Sequence, residues 1–172
     1  MTFLHVYRRN PICEWNRMQT LLNRDELDRL TQSPVQFNRL VAENEDSCVL
    51  EVAVTQDTAG VADQRIVPRW GHHLPGETVI SLTGQAACIL LRRCGVIEEG
   101  WRGHGVRIRD ARYSASVEIG EVAWMRVERL RVRRLGRSVH IQLRFRMWKL
   151  DSDGLEVETF RSEQDAIFFP GE

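Results

Sequence analysis

The chain has 172 residues with 24 basic and 24 acidic side chains, and 42% of it is hydrophobic, a length that suits one domain with a single core. No stretch approaches the ~20 apolar residues of a membrane span, and the opening MTFLHVYRRNP has too short an apolar run for a secretory signal, so a cytoplasmic protein without a membrane span is expected. Zero net charge argues against a dedicated nucleic-acid binder; Cys13, Cys48, Cys88 and Cys94 have no C-x-x-C pair or matching His, so they are expected to be reduced and to hold no zinc.

Over residues 14–30 the apolar Trp15, Met18, Leu21, Leu22, Leu27 and Leu30 recur at three- and four-residue steps, which predicts one or two short amphipathic helices ended by Pro34. Residues 1–33 are therefore expected to form an N-terminal helical extension to a main domain over 34–172. Between residues 35 and 54 the pattern becomes alternating, with Cys48, Leu50, Val52 and Val54 on one face and Val49, Glu51 and Ala53 on the other, after a turn at 43–47. That predicts a β-hairpin. A Gly- and Pro-containing loop over 58–76 carries the adjacent His72 and His73.

Residues 78–91, TVISLTGQAACILL, are the most apolar continuous stretch and end in Arg92-Arg93-Cys94-Gly95. The length, the small residues Gly84, Ala86 and Ala87, and the basic residues before a glycine predict a helix buried nearly all round. Everything after it is strand-like. Val106 and Ile108 begin a strand, and residues 122–132 form another whose apolar phase slips near Glu128 and Arg129, as a bulge would produce. Val139, Ile141, Leu143, Phe145 and Met147 alternate with His140, Gln142, Arg144 and Arg146. Turns at 135–137 and 151–154 link consecutive strands, and residues 155–160 and 166–169 supply two further pieces. The expected fold class is α+β, an antiparallel sheet wrapped around one long helix, because the sheet's apolar face needs a cover and only one suitable helix is available.

The neutral total hides an asymmetry. Residues 100–150 hold 12 Arg and 1 Lys against 4 acids. Arginines on the solvated face of a sheet account for this, and so does an anionic partner such as coenzyme A phosphates or an acidic carrier protein, whose oxygens match forked guanidinium donors.

The segment Gly71-His72-His73-Leu74-Pro75-Gly76-Glu77 stands directly before the apolar helix. An imidazole held there by a Pro-Gly turn would lie beside helix N-terminal N–H groups able to polarise a carbonyl. The same residues also read as an exposed loop and a plain turn, with Glu77 as a first-turn carboxylate favoured by the helix dipole. Gln85, in an apolar helix, must either bond the backbone or face a pocket.

These residues resemble the hotdog fold, a sheet wrapped around a long helix, found in enzymes that act on acyl thioesters of coenzyme A or acyl carrier protein. His73-Leu74-Pro75-Gly76 resembles the His-Phe-Pro-Gly of the 3-hydroxyacyl-carrier-protein dehydratases, and the element order is similar over residues 35–169, including a turn at 117–121. That branch pairs its His with an acidic residue on the helix; gapless counting from His73 lands on Ala87, and residues 78–91 contain no Asp or Glu. Gly71-His72, Glu77 and Gln85 are similar to the pattern of FcoT-type long-chain acyl-CoA thioesterases, with Gly84 where those have Asn.

The resemblance implies a homodimeric or higher homo-oligomeric enzyme with hydrolysis ahead of dehydration, His73, His72, Glu77 and Gln85 as catalytic candidates, and no cofactor or metal. Water attack would use an oxyanion site near Thr83 and Gly84, with the acyl tail beside Val79, Leu82, Ala86 and Ile89. A non-catalytic acyl-thioester or carrier-binding protein and an enoyl-thioester tailoring enzyme stay open as alternatives.

Overall fold

A computed structural model describes residues 21–31, 34–64 and 71–171. In chain order the elements are β1 (Leu22–Asn23), α1 (Arg24–Thr31), β2 (Arg39–Glu43), β3 (Ser47–Ala53), α2 (Gly76–Arg93), β4 (Arg102–Tyr113), β5 (Val122–Leu135), β6 (Ser138–Leu150) and β7 (Glu156–Phe169). The strands form one sheet in the order β1-β2-β3-β5-β6-β7-β4, and every pairing is antiparallel.

The helical extension is shorter in the described residues than expected. Leu22 joins a strand, pairing with Leu40, and α1 starts only after Asn23. The reason is a reciprocal cap: the Glu26 N–H donates to Asn23 Oδ1 at 3.1 Å, while Glu26 Oε2 accepts from the Asn23 N–H at 2.8 Å. The rest of the extension, residues 1–20 and 32–33, lies outside the described residues.

The expected hairpin is β2–β3. Its turn is set by Asn44, whose Oδ1 accepts from the N–H groups of Asp46 and Ser47 at 2.9 and 2.8 Å. Strands β5, β6 and β7 form the meander that alternation predicts, with the slip in β5 present as a register shift between Arg129 and Arg131. Gly136 and Gly154, in the two connecting turns, have φ of +58° and +73°, where a Cβ would be strained.

Two expectations are corrected. The pieces at 155–160 and 166–169 are one strand, β7, whose inward side runs Phe160, Ser162, Gln164, Ala166, Phe168; the polar middle hid the continuity. The strand opened by Val106 and Ile108 is not the first of a meander of about four consecutive strands, as the element order after the helix suggests, and does not neighbour β5. It crosses to the far edge and pairs with β7, leaving Val106 63% and Ile108 47% exposed.

The core forms where α2 packs on the inner face of the sheet. Val79, Leu82, Ala86, Ile89, Leu90 and Leu91 meet Leu50, Val52, Met125, Val127, Leu143 and Phe145 in one buried cluster. Burial of α2 is one-sided, however. Gly76, Glu77, Ser81, Gly84 and Arg93 are exposed, so a stripe of small and polar residues stays open along the helix.

Candidate active site

The residues 72–75 are fixed from both sides by backbone bonds. His73 pairs with Glu118 as an isolated antiparallel bridge, the Leu74 N–H donates to Val117 O at 2.8 Å, and the Ile119 N–H donates to His72 O at 3.1 Å. Opposite, Gln64 Nε2 donates to His73 O at 2.7 Å and its Oε1 accepts from the His73 N–H at 3.1 Å. The turn at 117–121 thus serves as the splint of the histidine loop; Gly120 takes φ +90° there, and Glu121 ties it to Lys149 at 2.7 Å.

Both histidines are half-buried. His72 Nδ1 lies 2.9 Å from Val61 O, and His73 Nδ1 lies 3.2 Å from Gly71 O. A carbonyl only accepts, so each neutral ring carries its proton on Nδ1 and keeps Nε2 as the basic nitrogen.

Helix α2 begins immediately beyond, at Gly76, with Pro75 as an N-cap that offers no side-chain bond. The Val79 N–H donates to Pro75 O at 3.0 Å. The N–H groups of Gly76, Glu77 and Thr78 precede the first intrahelical bond, which makes this end receptive to a carbonyl oxygen or oxyanion. Thr83 and Gly84, expected near an oxyanion site, lie two turns into the helix, where their N–H groups serve the helix ladder. Glu77 is exposed, with Oε1 only 3.7 Å from where a Cβ on Gly60 would lie. Tyr113, the last residue of β4, also reaches this end. Its O–H donates to Gly76 O at 2.9 Å, its ring packs on Phe160 with centroids 5.0 Å apart, and burial raises its phenol pKa.

About 10 Å along the helix at 1.5 Å per residue, Thr83, Gly84, Ala87 and Cys88 line a pocket of about 80 Å³ against Gly103, His104, Gly105, Leu143, Phe145, Gln164, Ala166 and Phe168. A Cβ on Gly103 would sit 2.3 Å from the Phe168 ring, whereas one on Gly84 would meet nothing within 4 Å. The polar wall comes from β7. Gln164 Nε2 donates to Thr83 Oγ1 at 3.0 Å and to Ser162 Oγ at 3.1 Å. Burial raises the Cys88 thiol pKa, with Arg92 opposing weakly, so this cysteine is held as a thiol rather than a nucleophilic thiolate.

The structure thus sorts the sequence-derived residues into three groups. His72, His73 and Glu77 gather at the start of α2. Thr83 and Gly84 line the pocket. Gln85 belongs to neither: its Oε1 accepts from the Gln36 N–H at 3.0 Å, fastening α2 to the segment before β2. Val79, Leu82, Ala86 and Ile89 are core residues, and none of them lines the pocket. Sequence reasoning missed Tyr113, Ser162 and Gln164. A signal existed for the last two, because both are polar at the inward phase of a strand whose other inward residues are Phe and Ala. Among the described residues no three His, Cys, Asp or Glu are grouped to hold a metal.

Among the described residues, four of the twelve arginines of the basic half stand in ion pairs: Arg144 with Glu163 at 2.9 Å, Arg146 with Glu156 at 3.1 Å, Arg129 with Asp46 at 2.5 Å, and Arg109 with Asp165. One lateral row is only partly paired: Arg146 and Arg161 share Glu158, while Arg126 and Arg112 make no ion pair among the described residues. Arg126 faces Arg146, Arg146 faces Arg161, and Arg161 faces Arg112 across four adjacent strands, where like charges repel.

No protein-family model matches the chain, and no curated protein matches it. Solved structures do. The dehydratase heterocomplex ApeI:P from Xenorhabdus doucetiae is similar with a TM-score of 0.61 at 14% identity, over 88% of this chain and 93% of that one. A thioesterase from Haemophilus influenzae is similar with a TM-score of 0.56 at 18% identity, over 89% and 94%. A 4-hydroxybenzoyl-CoA thioesterase variant complexed with 4-hydroxybenzoyl-CoA gives 0.54 at 14% identity, over 72% and 84%. The fold is the hotdog fold, α+β, with α2 as its central helix.

Proposed function

We propose that the protein is a hydrolase of acyl thioesters of coenzyme A or of an acyl carrier protein. The observation that carries this reading is the histidine loop: two imidazoles with basic Nε2 atoms, anchored by backbone bonds beside the uncapped N-terminus of α2. The thioester carbonyl oxygen would rest on the N–H groups of Gly76 to Thr78. His73 Nε2 accepts a proton from water as its oxygen attacks the carbonyl carbon; the oxyanion collapses, the C–S bond breaks, and the leaving thiolate takes the proton back from the imidazolium. Products are a carboxylic acid and a thiol, with no cofactor needed. Thioesters react readily enough for water to be the nucleophile, in keeping with a protonated Cys88.

The exposed stripe of α2 leads the acyl chain from this centre to the pocket beside Gly84. The opposite end of the substrate then points towards Tyr113 and its neighbour Arg112, which makes no ion pair among the described residues; an anionic phosphate or an acidic carrier surface placed there relieves the repulsion in the arginine row. A second copy of the chain is the partner we assign to β4, whose exposed Val106 and Ile108 and unpaired backbone edge need a cover.

Intact-mass analysis after incubation with saturated, 3-hydroxy and enoyl thioesters on both coenzyme A and a carrier protein tests the reading. Loss of the whole acyl group is the expected result. Loss of a single water from the 3-hydroxy species would make the protein a dehydratase with Glu77, the only acid of α2, or a partner-subunit group as its acid. A mass gain on the enoyl species would mean an addition enzyme, and an unchanged panel a binding protein.

A further inference from the structure

The pocket beside Gly84 is apolar on most sides and polar on one. Leu143, Phe145, Ala166, Phe168 and Ala87 make a greasy lining, and a purely aliphatic chain would ask for nothing else. The polar side is nevertheless built with care. Thr83 and Ser162 are 1% and 3% exposed, and Gln164 bridges them.

Counting protons shows what the bridge leaves over. Gln164 Nε2 spends both of its protons, one on Thr83 Oγ1 and one on Ser162 Oγ. Thr83 has a single hydroxyl proton and two candidate acceptors, Ile80 O at 2.7 Å and Gln164 Oε1 at 3.2 Å. The shorter contact, to a helix carbonyl, takes it. Gln164 Oε1 then meets at most the longer Thr83 contact and keeps a lone pair for a further donor, held on the polar side of the pocket by the two bonds of its Nε2. Gly84 and Gly105 leave open space where a Cβ would stand, and the exposed His104 completes the lining between Gly103 and Gly105.

We propose that this pocket is a subsite for a hydroxyl group on the acyl chain, with Gln164 as the specificity-determining residue that accepts the hydroxyl's proton. The pocket lies about 10 Å along α2 from its start, so the preferred substrates are hydroxylated well away from the thioester. This rests on the hydrolase reading only in taking the ligand to be an acyl thioester.

Binding of two inert thioethers of coenzyme A, octyl and omega-hydroxyoctyl, measured by calorimetry, reads the subsite without turnover. The hydroxylated thioether is expected to bind at least about tenfold more tightly, and Gln164→Leu to erase that preference while keeping affinity for the plain one. Gln164→Met, which preserves side-chain length, replaces it if the leucine variant does not fold. Equal affinities in the unsubstituted protein, or a preference that survives in a folded Gln164 variant, would overturn the subsite. A clear preference in a protein that leaves every thioester of the mass panel intact would support the subsite and overturn the hydrolase reading alone.

Discussion

The histidine loop and the Gly84 pocket lie on one helix yet are made in opposite ways. The loop is a short run of sequence, residues 71–77, whose backbone is fixed by bonds to Gln64 and to the turn at 117–121. Its side chains are left partly open. The pocket is made by what is missing: no Cβ at Gly84 or Gly105, and a strand that must carry glycine at 103 for the Phe168 ring to seat. Its polar wall comes from β7, about eighty positions from Thr83. Under the proposed hydrolase reading, the difference means that one end of α2 would hold reactive groups at a carbonyl and the other would admit and select what is attached to it.

That division can be broken by substitution. His73→Ala is expected to lower kcat by about 100-fold or more with the affinity for an inert thioether unchanged; steady-state kinetics beside calorimetry checks it, and equal losses in both would erase the distinction. Gly84→Ala works in the other direction. The methyl group meets nothing within 4 Å and replaces a helical glycine, so the fold should gain up to about 1 kcal/mol, visible as a raised Tm. The methyl also enters the pocket, so affinity for octyl thioethers should fall about tenfold while turnover of acetyl thioesters is kept. A variant that is more stable with unaltered chain-length preference would place the acyl tail elsewhere.

A smaller effect sharpens the comparison by touching neither region. Glu43 receives two bonds from Arg93, one of them at 2.9 Å, and this bonding lowers its carboxyl pKa against the opposing pull of burial. Its folded-state pKa is depressed, so the pair stabilises the fold above the ordinary carboxylate range and the contribution is lost as pH falls through the folded value. Glu43→Gln should cost less than about 1 kcal/mol at neutral pH, as exposed pairs do, with the gap to the unsubstituted protein closing in acid and kcat/KM unchanged. Urea unfolding at a series of pH values measures it.

How much of this was legible in the sequence follows the same division. Strict alternation in β6 and the phase slip in β5 announced the sheet, and the apolar run of 78–91 announced α2, because period and burial are local properties of a chain. The histidine loop was legible for the same reason. The position of β4 was not, since the choice between sheet neighbours depends on which edge is vacant once β3 and β5 have paired. The one-sided burial of α2 was hidden because Ser81 and Gly84 fit a buried helix as well as an open one. Gln85 looked like a site residue by being polar in an apolar run, but the backbone of Gln36 claims it. Gln164 sat in a polar-looking stretch, and only the pairing of β7 with β6 shows that it points inward.

The most direct test of the account is a crystal structure with the omega-hydroxyoctyl thioether of coenzyme A bound. The account predicts the sulfur beside His73 and the N-terminus of α2, the chain along Ser81 and Gly84, and the terminal oxygen within hydrogen-bond distance of Gln164 Oε1. A chain that leaves the helix before Gly84, or a sulfur seated away from His73, would contradict it.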